Sequence, residues 1–87
     1  MYDVKFNKQV KKNIEKIPAS AQKKFFFLVE DLASSGPVRP EWPNYSRLND
    51  NEYHCHLSHK WVACWRHEKK TVIIEVYYAG SRENAPY

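Results

Sequence analysis

The feature that most constrains this chain is a change of hydrophobic period partway along it. Phe6, Val10, Ile14 and Ile17 recur at spacings of four, four and three, and Ala21, Phe25, Leu28 and Leu32 form a second such stripe. Residues three and four apart share one side of an α-helix. From Tyr45 onward the apolar residues tend to alternate instead, the period of a strand half-buried in a sheet. A chain divided in this way has to pack helices against strands.

Local signals give the boundaries. Tyr2 to Phe6 alternates and reads as an opening strand. Asn7 can cap a helix running through Lys16, whose outer face carries Lys8, Lys11, Lys12 and Lys16. Pro18 ends it and suits the first turn of a second helix, about Ala19 to Ser34, with the inner stripe widened by Phe26, Val29 and Ala33. Ser35-Gly36-Pro37 stops that helix, and Val38 to Asn44 reads as a loop. Strands are expected at Tyr45–Leu48, Glu52–Leu57, Trp61–Arg66 and Thr71–Ala79. The turn-forming runs Asn49-Asp50-Asn51, Ser58-His59-Lys60 and Glu68-Lys69-Lys70 join them. In the last strand, Val72, Ile74, Val76 and Tyr78 form the expected core face. The fold class is α+β: an N-terminal strand, then a two-helix hairpin packed on one face of a mainly antiparallel sheet. At 87 residues there is room for a single domain, 1–87.

Two cysteines, Cys55 and Cys64, are too few for a disulfide framework and are expected to be small, reduced, buried side chains. Met1-Tyr2-Asp3-Val4-Lys5 lacks the apolar core of a secretory signal, and no apolar run has the length of a membrane span. A cytoplasmic protein without a membrane partner is expected. The net charge of +4 suits an anionic partner, either nucleic acid or an acidic protein.

A helix hairpin covers only one face of a sheet. His54 and His56, two apart on a strand, project together, while the apolar set Tyr53, Cys55 and Leu57 points the other way. Two imidazoles thus emerge on the uncovered face, either as solvated surface or as a proton-transfer pair, since histidine titrates near neutrality. RNA cleavage without a metal needs a base for the 2′-hydroxyl, an acid for the leaving 5′-oxygen and cations for the charge on phosphorus. Lys60, Arg66 and Arg82 are candidates for the cations. Trp61 and Trp65 share a face of their strand and serve either as core or as stacking platforms for bases. A zinc site would need His59, His67 or a cysteine beside the two histidines, but Cys55 faces away and no Cys-x-x-Cys is present. No metal or other cofactor is expected.

The closing stretch, Val76-Tyr77-Tyr78-Ala79-Gly80-Ser81-Arg82-Glu83-Asn84-Ala85-Pro86-Tyr87, resembles the end of toxins of the RelE/ParE superfamily: a hydrophobic strand ending in glycine, an arginine, then a tyrosine near the terminus. Glu52-Tyr53-His54-Cys55-His56-Leu57 looks like the family's catalytic strand, and the likeness extends over essentially the whole chain. The resemblance implies a RelE-like mRNA interferase, an endoribonuclease that enters the ribosome and cleaves mRNA. It also implies a cognate antitoxin that wraps and neutralises the toxin, with operator DNA reached only through that antitoxin. It further implies phosphate and leaving-group roles for Arg82 and substrate stacking or activation for Tyr87. His54 and His56 fall where RelE itself carries two lysines, which points to ordinary acid–base chemistry. Trp61 or Lys60 stands where the family has an arginine. Two other readings stay open, a ParE-like gyrase poison and an inactive antitoxin-binding module. The histidine pair and the Arg82/Tyr87 tail favour the nuclease.

Overall fold

The computed structural model describes residues 1–87. Its elements are β1 (Asp3–Phe6), α1 (Lys8–Lys16), α2 (Ala19–Ser35), β2 (Ser46–Arg47), β3 (Glu52–Ser58), β4 (Trp61–His67) and β5 (Ile73–Ser81). The strands form one sheet in the order β1-β5-β4-β3-β2. All pairings are antiparallel except β1 with β5, which is parallel. The expected α+β arrangement is present, and the helix pair between β1 and the other strands is what lets β1 return beside β5 in parallel.

Caps set the helix ends. The Asn7 side chain accepts a hydrogen bond from the Val10 amide at 3.0 Å, satisfying one free donor of the first turn of α1. Gly36 ends α2 at φ 93°, with its amide donating to the Leu32 carbonyl. A Cβ there would lie 3.0 Å from the Tyr2 ring, so both conformation and space require glycine.

One buried cluster joins Val10, Ile14 and Ile17, then Ala21, Phe25, Leu28 and Leu32 of α2, to the helix-facing side of the sheet. That side is Tyr53, Cys55 and Leu57 of β3, Ala63 and Trp65 of β4, and Ile74, Val76 and Ala79 of β5. Trp65 is fully buried, donates its indole N–H to the Pro37 carbonyl at 3.0 Å, and stacks on Tyr53 with centroids 6.0 Å apart. This ring ties the loop before β2 to the core, as does Trp42, whose indole N–H donates to Asp31 at 2.8 Å.

Two expectations need correction. Phe26 does not widen the inner stripe of α2; it is 52% exposed, because it lies a residue past Phe25 and turns outward. The core face of β5 is not Val72, Ile74, Val76 and Tyr78. Cys64 pairs with Tyr78 and Trp65 with Val76, so Tyr77 is an extra residue, a bulge that shifts the alternation. Ala79 takes the core position after Val76, and Val72, ahead of the strand, is exposed.

Candidate active site

The face turned away from the helices carries the chemistry. By register, His54 pairs with Cys64, His56 with Val62, and Glu52 with Arg66. Val62 and Cys64 are fully buried there although no helix covers them. After β5 the chain turns at Arg82–Ala85, where the Ala85 amide donates to the Arg82 carbonyl at 3.3 Å. The segment then returns over this face and brings the Tyr87 ring to 4.2 Å from the His54 ring.

His54 is only 8% exposed. Its Nδ1 lies 2.9 Å from the hydroxyl of Ser46, its registered partner on β2. Burial is the main cause holding its pKa below the ordinary histidine value, the neighbouring His56 adds to this, and a main-chain hydrogen bond at Ser46 opposes it. The two imidazole centroids are 6.1 Å apart. The pKa of His56 is also lowered, first by burial, then by the Arg82 guanidinium and by His59. Its Nδ1 is 3.5 Å from the Asn44 side-chain nitrogen. The Tyr87 hydroxyl is pushed upward chiefly by burial and drawn back by Arg82. Arg82 therefore acts electrostatically on both His56 and Tyr87.

Beside this pair opens a cleft of about 320 Å³ lined by His59, Lys60, Trp61, Ser81, Arg82 and Glu83. The Arg82 amide donates to the Lys60 carbonyl at 2.8 Å, which fixes the cleft's two cationic residues relative to each other. Lys60 and Arg82 are exposed, and Trp61 is partly buried.

Two candidates lie elsewhere. Trp65 is on the helix-facing side and fully buried, with no ring surface left for a base. The expectation that it binds RNA fails because the bury-or-stack choice is decided by its facing α2. Arg66 is on the histidine face, but its guanidinium bonds Glu75 at 2.9 Å and Glu52 at 3.5 Å and lies 4.5 Å from the Tyr77 centroid. Two carboxylates already neutralise it, so it is not the free phosphate-binding cation that its sequence position suggested. The third ligand a zinc site would need does not join the histidines: no three His, Cys, Asp or Glu side chains gather to hold a metal ion. Nothing in the sequence marks Ser46 and Asn44 as histidine partners. Both lie in or beside a two-residue strand, and only the β2–β3 pairing reveals them.

The arrangement offers two imidazoles of lowered basicity, an aromatic ring over one of them, a guanidinium acting on the other, and a cationic cleft alongside. Such a set can move protons at neutral pH and hold an anion next to them.

No protein-family model matches the sequence, and no curated protein matches it. Solved structures do. The chain superimposes on one from the archaeal RelE–RelB complex of Pyrococcus horikoshii with a TM-score of 0.75 and 20% identity, over 97% of this chain and 98% of that one. For the isolated E. coli RelE toxin the TM-score is 0.73 at 16% identity, over 99% of this chain and 89% of that one. For the YoeB–YefM complex from Staphylococcus aureus it is 0.69 at 11% identity, over 94% and 98%. The chain has the fold of the RelE toxins.

Proposed function

We propose that this RelE-fold chain is the toxin of a toxin–antitoxin pair and acts as a ribosome-dependent endoribonuclease on mRNA. The observation that carries the reading is the convergence of His54, His56 and Tyr87, under the charge of Arg82, on the sheet face that the helices leave free. One imidazole takes the proton of a ribose 2′-hydroxyl and the other protonates the leaving 5′-oxygen, a pair of transfers each worth about 10²–10⁴-fold. Arg82 and Lys60 in the cleft hold the phosphate charge that grows in the transition state, so the reaction proceeds without a metal. Tyr87, half-exposed above His54, offers its outer side for a base to stack on. Trp61 packs in part against the helix-side core, and the portion of it that lines the cleft wall is a second contact for single-stranded RNA.

The partners follow from the same reading: mRNA on the ribosome, and a cognate antitoxin. The similar chains from P. horikoshii and S. aureus come from complexes with RelB and YefM, which supports an antitoxin here. Operator DNA is reached through that antitoxin alone. No helix is long and apolar enough to cross a membrane, in keeping with work in the cytoplasm.

The test is to add the purified protein to a cell-free translation mixture carrying a defined mRNA and to analyse the new ends. Cuts inside the translated frame, leaving 2′,3′-cyclic phosphate and 5′-hydroxyl ends, are expected. An mRNA left intact at micromolar protein would refute the nuclease reading.

A further inference from the structure

The two histidines are not held alike. His56 has a long contact from an exposed asparagine, whereas His54 is locked between a registered strand partner and an aromatic ring. β2 is only two residues long, and its pairing with β3 sets Ser46 directly opposite His54 and Arg47 opposite Tyr53. Arg47 faces the core side, 5.8 Å from the Tyr53 centroid, so Ser46 is the residue of β2 that reaches the site.

From this pairing we infer that Ser46 is the positioning residue for His54: its hydroxyl accepts from Nδ1–H, leaving Nε2 without a proton and making His54 the general base. The inference rests on the nuclease reading. A hydroxyl can accept or donate, but an imidazole with a proton on Nδ1 has its free lone pair on Nε2, the nitrogen a base uses. In the reaction, Nε2 of His54 takes the 2′-hydroxyl proton while O2′ bonds to phosphorus. The P–O5′ bond breaks, and O5′ takes a proton from His56. One proton passes in and one passes out, leaving a 2′,3′-cyclic phosphate and a 5′-hydroxyl. Burial first, and then the Arg82 guanidinium, lower the pKa of His56 in the free protein; a bound phosphate offsets that guanidinium and favours the protonated His56 that the acid role needs.

The other groups facing His54 are His56 on its own strand, Cys64 across on β4, Tyr87 from the returning segment, and Arg82 beyond His56. None of them is changed by substitution at Ser46, which is exposed and can lose its hydroxyl without disturbing the core.

The experiment is a ring-nitrogen NMR measurement on ¹⁵N-histidine-labelled wild type, Ser46→Ala and Ser46→Thr above neutral pH, alongside single-turnover cleavage in a translating mixture against pH. The wild type and Ser46→Thr are expected to show His54 protonated on Nδ1 and bare on Nε2. Ser46→Ala is expected to shift toward the Nε2–H form, to cleave about tenfold or more slowly, and to move the acidic limb of the pH profile. Ser46→Thr should stay within about threefold of wild type. An Nε2–H tautomer in the wild type, or ring signals of His54 unchanged by Ser46→Ala, would overturn the inference. Should the wild type show the expected tautomer and yet cleave no RNA, the nuclease reading fails while the Ser46–His54 geometry stands.

Discussion

The Tyr87 ring rests 4.2 Å from the His54 ring at an interplanar angle of 45°, and Tyr87 itself is 51% exposed. One side of the ring keeps water from the imidazole and the other is open. The same side chain can therefore tune the base and receive a nucleotide.

Replacing Tyr87 by alanine removes both effects. The pKa of His54 should rise toward the ordinary value, because burial is the first cause of its depression, and cleavage should fall about tenfold or more with the loss of stacking. Tyr87→Phe keeps the ring and should keep most of the rate. An NMR titration of His54 in the three proteins checks the first part, and single-turnover cleavage checks the second.

Arg82→Ala should slow cleavage by about 10²-fold, the scale of losing one donor to the transition state. It should also raise the pKa of His56, since the guanidinium is the second cause of its depression. Cleavage at the wild-type rate with His56 unshifted would take Arg82 out of the site.

Stability should depend on pH through the same histidines. Both have folded-state pKa values below the ordinary one, so the unfolded chain binds more protons in the interval between the two. Stability then rises with pH across that interval. It is complete above the ordinary histidine value of about 6.5 and declines as pH falls below it toward the folded values. Denaturation midpoints from about pH 5 to 8 should show this slope, and His54→Gln should flatten it. A midpoint independent of pH over that range would contradict the burial of His54.

Arg66 and Trp65 should behave as structural residues. Arg66→Ala leaves Glu52 and Glu75 facing each other on a half-exposed surface and should cost about 1–2 kcal/mol, discounted for solvent screening. Trp65→Ala should cost about 3–5 kcal/mol, as truncation of a fully buried ring does. The folded fraction of either protein should cleave at close to the wild-type rate. Loss of cleavage in a fully folded Arg66→Ala protein would place that guanidinium on RNA.

How much of this was legible in the sequence depended on how local each signal was. Asn7 capping α1, Gly36 closing α2, and the opposite faces of Tyr53-Cys55-Leu57 and His54-His56 all follow from spacing within one element, and they appear as read. Alternation alone misassigns the faces of β5 because it assumes an unbroken ladder, and the extra residue at Tyr77 arises from pairing with β4. The choice for Trp65 between core and surface turned on which side of the sheet α2 covers. Ser46 stayed hidden because its meaning lies in a cross-strand partner eight residues away, in a strand too short to show a period. The opposition of Arg66 to Glu52 and Glu75 likewise exists only once three strands are in register.

The central claim is that His54 and His56 form an RNA-cleaving pair. It is tested most directly by inducing the gene in a bacterial host and mapping mRNA ends beside a His54→Ala/His56→Ala control of equal abundance. The account predicts growth arrest with new cuts inside translated frames, both absent in the control. Arrest without new cuts, or identical cuts from the control, would contradict it.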